Sequence, residues 1–260
     1  MSSTLLKMRQ MAACTALLIC GYLSSACVFA ADVYDAAVLH AGRSSADLKR
    51  DETDHPADVL RLSGIKPGMQ VADLLAGDGY YSELLSYVVG AKGHVFLLNN
   101  TGFDSFVDNA WKGRIETQHL SNVEHRTVDM SHLNLGDATL DAVVMIKIYH
   151  DLYWVAPKDG WPKIDVNAVL DQVAHALKPG GILLVVDHSA KAGTGNSAAG
   201  ELHRIDEAYA RHDFESHGFE LVKQSDVLRQ PSDRRDQISY KPPMVGKTDR
   251  FVLVFRKRDK

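Results

Sequence analysis

Val71-Ala72-Asp73-Leu74-Leu75-Ala76-Gly77-Asp78-Gly79-Tyr80-Tyr81 is the stretch on which the fold turns. An apolar run carrying an acid near its end, then a glycine-punctuated turn, then the start of a helix describes the first junction of a ligand-binding α/β unit. Gly77 and Gly79 can adopt positive φ and let the backbone approach a ligand with no Cβ in the way. Taken alone the stretch has two readings, because a tight strand-to-helix turn calls for glycine whether or not a ligand lies on it. It is not a nicotinamide fingerprint, since Ser82 stands where the third glycine of G-x-G-x-x-G would fall.

Outward from this loop, strand and helix patterns alternate. Strands are predicted over residues 70–75, 94–98, 123–128, 141–148 and 182–187, with two more near 219–228 and 250–256. Helices are predicted over 80–89, 101–114, 164–177 and 201–217. Residues 141–148 (D-A-V-V-M-I-K-I) form a nearly unbroken apolar run, as expected of a central strand covered on both faces. Ahead of the loop, residues 31–64 read as a charged N-terminal helical extension. There Asp54 is a predicted N-cap and Pro56 lies in the first turn of a helix carrying Val59, Leu60 and Leu62. Alternation this regular implies one α/β domain over residues 65–260, a doubly wound, mostly parallel sheet with ligand sites at the carboxyl ends of its strands.

The order of the remaining motifs narrows the reading. Asn99-Asn100 ends the second predicted strand, Asp129-Met130 ends the third, Tyr149-His150-Asp151 follows the fourth, and L-K-P-G-G (residues 177–181) precedes the fifth. With the D-x-x-x-G-x-G loop, this ordered set resembles the class I S-adenosylmethionine-dependent methyltransferases, from about His55 to Arg256. Within them it is most similar to a bacterial "predicted methyltransferase" group that often carries signal peptides. The features shared with that group are the charged segment leading to His55-Pro56, G-D-G-Y-Y-S-E-L-L, Y-H-D-L-Y-W, V-V-D-H-S, H-R-I-D-E and G-K-T-D-R-F-V-L. The resemblance implies a seven-stranded Rossmann-like methyltransferase sheet, S-adenosyl-L-methionine as cofactor and a small-molecule methyl acceptor. It further implies that Asp73, Gly77, Asp78 and Gly79 face the methionine and sulfonium part. Asn99 then stands where an acid usually grips the ribose, Asp129 meets the adenine amino group, and Met130 packs beside the ring.

Two positions depart from that pattern. Leu75 replaces the first glycine of the loop, adding bulk where the backbone should lie close to the ligand. Asn99 (or Asn100) replaces the ribose-binding carboxylate, and a neutral amide bonds a hydroxyl about half as strongly as a charged acceptor does. Cofactor binding is therefore expected to be weakened or altered.

Methyl transfer is an in-line displacement, so the protein aligns the acceptor and removes its proton where needed. The same resemblance implies that Tyr149, His150 and Asp151 lie on the acceptor side, with His150 the first choice as base because imidazole titrates near neutrality; His188 leaves the fifth strand toward the same rim. His203 with Asp206 and Glu207 reads as a solvated pair on one face of a helix. No familiar metal spacing appears, and no metal is expected.

Residues 1–30 differ from the rest. Lys7 and Arg9 are their only charges, an apolar core follows, and Val28 and Ala30 suit a cut before Ala31. This is the pattern of a secretory signal peptide, so the product is expected to be exported, periplasmic in a bacterium, and free of the membrane after cleavage. Lipid anchoring at Cys27 is disfavoured, because Ser24 stands where a lipobox has leucine. All three cysteines (Cys14, Cys20, Cys27) lie in the leader, leaving no thiol nucleophile, disulfide framework or cysteine-based zinc site in the domain. A net charge of −4, more acidic once the leader is gone, excludes a surface that coats nucleic acid. Oligomeric state is not legible. A non-catalytic binding protein on the same scaffold is the main alternative. A hydrolase using the histidine-rich rim is a third, although no G-x-S-x-G elbow supports it.

Overall fold

The computed structural model describes residues 32–259. The leader pattern lies outside them, and none of the helices described is long and apolar enough to cross a membrane. The N-terminal extension folds as three short helices, α1 (Val33–Val38), α2 (Ser45–Asp54) and α3 (Pro56–Ser63). Asp54 does not cap α3. It ends α2, and His55 makes the break between the helices with φ 42°. The carboxylate of Asp54 is instead buried against Arg50, Lys147 and Arg250.

The domain continues as β1 (Gln70–Leu74), α4 (Tyr80–Val89), β2 (His94–Asn99), α5 (Thr101–Phe106), α6 (Trp111–Thr117), β3 (Val123–Thr127) and β4 (Leu140–Ile146). It ends with α7 (Val166–Ala176), β5 (Leu177–His188), α8 (Ala199–Leu202), α9 (Glu207–Ser216), β6 (Phe219–Ser225) and β7 (Arg250–Lys257). The seven strands form one sheet in the order β3-β2-β1-β4-β5-β7-β6. β1 to β5 pair in parallel, and β7 runs antiparallel between β5 and β6. The doubly wound, mostly parallel seven-stranded sheet expected above is therefore present, with strand order reversing at β1.

Alternate residues of each central strand feed opposite faces, because successive side chains on a strand point to opposite sides. Val143 and Met145 of β4 join Leu183 and Val185 of β5 in one core, whereas Ala142, Val144, Leu184 and Val186 join the other with Val71, Val95 and Leu97. This double covering is why β4 and β5 read as continuous apolar runs.

Two predicted helices are broken. The pattern over 101–114 resolves into α5 and α6, and that over 201–217 into α8 and α9. His203 turns the chain between the latter two in the left-handed region (φ 49°), and Asp206 caps α9 by accepting from the Ala208 amide. His203 thus shares no helical face with Asp206 and Glu207.

Candidate active site

Parallel pairing brings the ends of β1 to β5 to one edge of the sheet, and the predicted motifs meet there. After β1, the loop turns through Leu75 (φ 53°), Gly77 (φ 62°) and Gly79 (φ 82°). Leu75 takes the left-handed backbone that glycine would supply, and its side chain is buried in the core with Leu98 and Met130. The expected bulk therefore lies inside the core.

Asn99, fully buried, reads the backbone of this loop. Its Oδ1 accepts from the Gly77 amide at 2.9 Å, and its Nδ2 donates to the Gly77 carbonyl and to Asp104 Oδ1, each at 2.9 Å. With the amide committed in this way, the ribose-facing role expected of Asn99 is corrected: its neighbour is better placed. Asn100 accepts the Phe103 amide on Oδ1 as the N-cap of α5, while its buried Nδ2 has no protein partner. That orphan donor belongs to a residue lining a cleft of about 360 Å³, with Thr101, Asp129, Met130, Ile164 and others. Asp129 is exposed, and bonds from the Ser131 amide and hydroxyl hold its carboxyl below the usual range, so it stays an acceptor. Met130 is buried beside it.

The donor and acceptor set fits an adenosyl group at this end: a carboxylate for an exocyclic amine, an apolar flank for a ring, and an unpaired amide N–H for a hydroxyl. Toward the methionine end, Phe103 lies over the loop, its ring 3.4 Å from where a Cβ on Gly77 would sit. Asp73 is buried and accepts from Ser82 Oγ at 2.7 Å; burial pushes its carboxyl up to about 7, the Ser82 bond opposing. Asp78, expected to face the cofactor, is engaged by Arg114 at 3.0 Å and approached by Arg50 at 3.8 Å.

Beyond β4 the predicted catalytic residues divide. The Tyr149 ring is fully buried against Phe214, and its hydroxyl donates to Asp213, which also accepts from Tyr153. Burial and the Asp213 charge raise its pKa, so the acceptor-side role expected of Tyr149 gives way to a core contact. His150 is buried between two carboxylates, Nδ1 at 2.6 Å from Asp187 and Nε2 at 3.1 Å from Asp151. Burial opposes its charge, but the two carboxylates prevail and lift it to about 10. Both ring nitrogens are thus engaged by carboxylates, which leaves none free for an acceptor proton and corrects the expectation of a base at His150. Asp151, in spite of burial, is held down to about 2 by His150 and His203. His188, with ring centroid 5.8 Å from that of His150, is driven well below the usual histidine range by burial and then by the neighbouring cations, and its Nδ1 pairs with Thr248 Oγ1.

Sequence reading did not single out Asn100 over Asn99, nor Phe103, and it set aside His203, whose Nδ1 is 2.9 Å from Asp151 Oδ1. For Asn100 a signal existed: asparagine directly ahead of a helical pattern is a preferred N-cap. For His203 there was none, because its partner lies 52 residues away. Trp154 links the two halves of the edge, meeting His203 at 5.2 Å and Trp161 at 5.5 Å between ring centroids, and Trp161 meets Phe103.

Residues 72–185 match the methyltransferase domain family. The chain is 30% identical over 137 residues to the ubiquinone/menaquinone biosynthesis C-methyltransferase of Teredinibacter turnerae, the match covering 50% of this chain and 47% of that one. It therefore spans about half the length of the curated relatives it matches. Among solved structures it is similar to a SAM-dependent methyltransferase from Aquifex aeolicus (TM-score 0.56, 22% identity, 81% of this chain and 98% of that one). A protein from Bacillus halodurans assigned to the methyltransferases compares at TM-score 0.55 and 18% identity, over 78% of this chain and 98% of that one. At these identities the structural likeness speaks for the fold.

Proposed function

We propose, proceeding from the membership of this chain in the class I S-adenosylmethionine-dependent methyltransferase superfamily, that it transfers a methyl group from that cofactor to a small-molecule acceptor. The observation that carries the reading is the cleft where Asp129, Met130 and the unpaired Asn100 amide meet beside the Gly77–Gly79 loop.

In this reading Asp129 accepts from the adenine amino group, Met130 packs on the ring, and Asn100 Nδ2 donates to a ribose oxygen. The bound cofactor supplies an electrophilic methyl group on a sulfonium. Asp73, below the loop, gains its negative charge near neutral pH and favours a cation above it. His150, bonded to Asp187 through Nδ1, orders the rim, and the neutral His188 beside it, a weaker base than a free imidazole, faces an acceptor proton. Trp154 and Trp161 wall the space between.

Calorimetric titration with S-adenosylmethionine and S-adenosylhomocysteine tests this. Micromolar binding is expected, weakened about ten- to a hundredfold in Asp129→Ala, the size of one hydrogen bond to a charged group. Absence of heat with millimolar ligand and folded protein would overturn it. One observation favours a second reading, a non-catalytic binding protein on this scaffold: the Phe103 ring covers Gly77, where the methionine end would lie. Tight binding of the cofactor rejects that alternative unless no acceptor from a broad panel is methylated.

Export belongs to the proposal on the leader pattern of residues 1–30. Protein recovered from the periplasm and beginning at Ala31 would support it; protein retained intact in the cytoplasm would exclude it.

A further inference from the structure

Beyond β4, two imidazoles and a carboxylate converge at one corner of the rim. We propose that His150 Nε2, Asp151 Oδ1 and His203 Nδ1 form a binding site for a single divalent first-row transition-metal ion. The three donor atoms all lie within 4.8 Å of one another, the only such group among the described residues.

The spacing suits a metal. Asp151 Oδ1 is 3.1 Å from His150 Nε2 and 2.9 Å from His203 Nδ1. Ligands bound at about 2.0–2.2 Å around one ion stand roughly 3–3.5 Å apart, so two edges of a coordination shell are already near their length. The third edge, from His150 Nε2 to His203 Nδ1, is no longer than 4.8 Å.

The surroundings add independent support. Asp187, fully buried, takes the other nitrogen of His150 at 2.6 Å and is fixed in turn by the backbone amides of His150 and His188. A carboxylate on the far nitrogen of a histidine is the usual device for orienting a metal-binding imidazole. His203 is held with φ 49° and ψ 56°, a left-handed backbone that a residue with a side chain adopts at a cost, and such cost is found most often at functional positions. Its ring is braced by Trp154 and Tyr240. Asp151 and His203 keep 14% and 12% of their side-chain surface exposed, against 4% for His150, so an ion could enter from the rim and retain an open position there. Two imidazoles and one carboxylate favour zinc, iron(II) or cobalt(II) over magnesium or calcium, and the carboxylates of Asp151 and Asp187 balance the double charge.

The rival account is that protons alone hold the trio, with both imidazoles donating to Asp151. Titration of the untagged, chelator-stripped full chain with Co(II), followed by visible absorption, and with Zn(II), followed by calorimetry, separates the two. One ion per chain is expected, with cobalt d–d bands that disappear on adding zinc. His203→Ala and Asp151→Asn should each weaken binding at least about tenfold, and Asp187→Asn about ten- to a hundredfold, with circular dichroism showing the fold retained. No saturable binding by the folded chain overturns the proposal, as does binding that His203→Ala and Asp151→Asn both leave unchanged. The readout is metal affinity, so the result does not depend on whether methyl transfer occurs.

Discussion

Leu75 shows how a single position can break a family pattern and leave the structure intact. A side chain in the left-handed region costs about 1–2 kcal/mol, whereas fully burying leucine contributes about 1.5–3 kcal/mol. The loop therefore keeps its course with leucine where glycine would otherwise stand, because the side chain points into the core shared with Leu98 and Met130. Asp73, two residues earlier, carries a pH dependence. Its carboxyl binds a proton more tightly in the folded chain (about 7) than at its ordinary value of 3.8, because burial penalises the ionised form. Between those values the native state holds the proton and the unfolded state has released it, so this contribution to stability is complete below the lower value and is lost as pH rises through the upper one. Asp73→Asn removes that loss. Its thermal stability relative to the native chain should improve from about pH 4 to about pH 8, by on the order of 2–4 kcal/mol. A difference that stays flat across this range would show that Asp73 ionises normally.

At the scale of elements, the cleft depends on how closely α5 meets the loop before α7. A Cβ added at Gly102 would lie 2.7 Å from the Gly160 carbonyl oxygen and 3.0 Å from that of Asp159. Those are backbone atoms, which yield less readily than the end of a side chain. Gly102→Ala should push the loop away, lower stability by about 1–3 kcal/mol, and weaken S-adenosylhomocysteine binding, since Thr101 and Gly160 both line the cleft. Thermal denaturation and calorimetry would report the two effects. Unchanged binding would mean that this closeness serves packing alone. The break between α8 and α9 matters in the same way. A continuous helix over 201–217 would carry His203 on its own helical face, whereas the left-handed turn brings it to Asp151.

At the scale of the whole molecule, the N-terminal extension is tied to the sheet edge through Asp54. Its carboxylate receives Arg50, Lys147 at the end of β4, and Arg250 at the start of β7, 196 residues away. Removing a buried partner leaves uncompensated charge, which costs about 3–5 kcal/mol. Asp54→Ala strands Arg250, only 2% exposed, and Lys147, so it should lower the stability of the whole chain by about that amount in urea denaturation. A loss below about 1 kcal/mol would indicate that α2 is held by packing and that the ion cluster is incidental.

Period and punctuation were enough to determine the alternation of strands with helices, the mostly parallel doubly wound sheet and the glycine loop, because these follow from local apolar patterning and backbone freedom, whereas the seven-stranded form was implied by the family resemblance. The same information placed Asp129 and Met130 at the end of a strand, on the edge where parallel sheets bind ligands. It was silent about what each polar side chain finds there. Asn99 and Asn100 are adjacent and chemically identical, yet one is spent on Gly77 and the other lines the cleft with its Nδ2 unpaired, a difference set by which direction each points off the end of β2. Tyr149 and His150 are likewise neighbours, yet one is sealed against Asp213 and the other lies between Asp151 and Asp187. Hydrogen bonds and charges act over a few ångströms of space whatever the distance along the chain, so only the folded arrangement decided which groups were consumed by structure and which were left for chemistry.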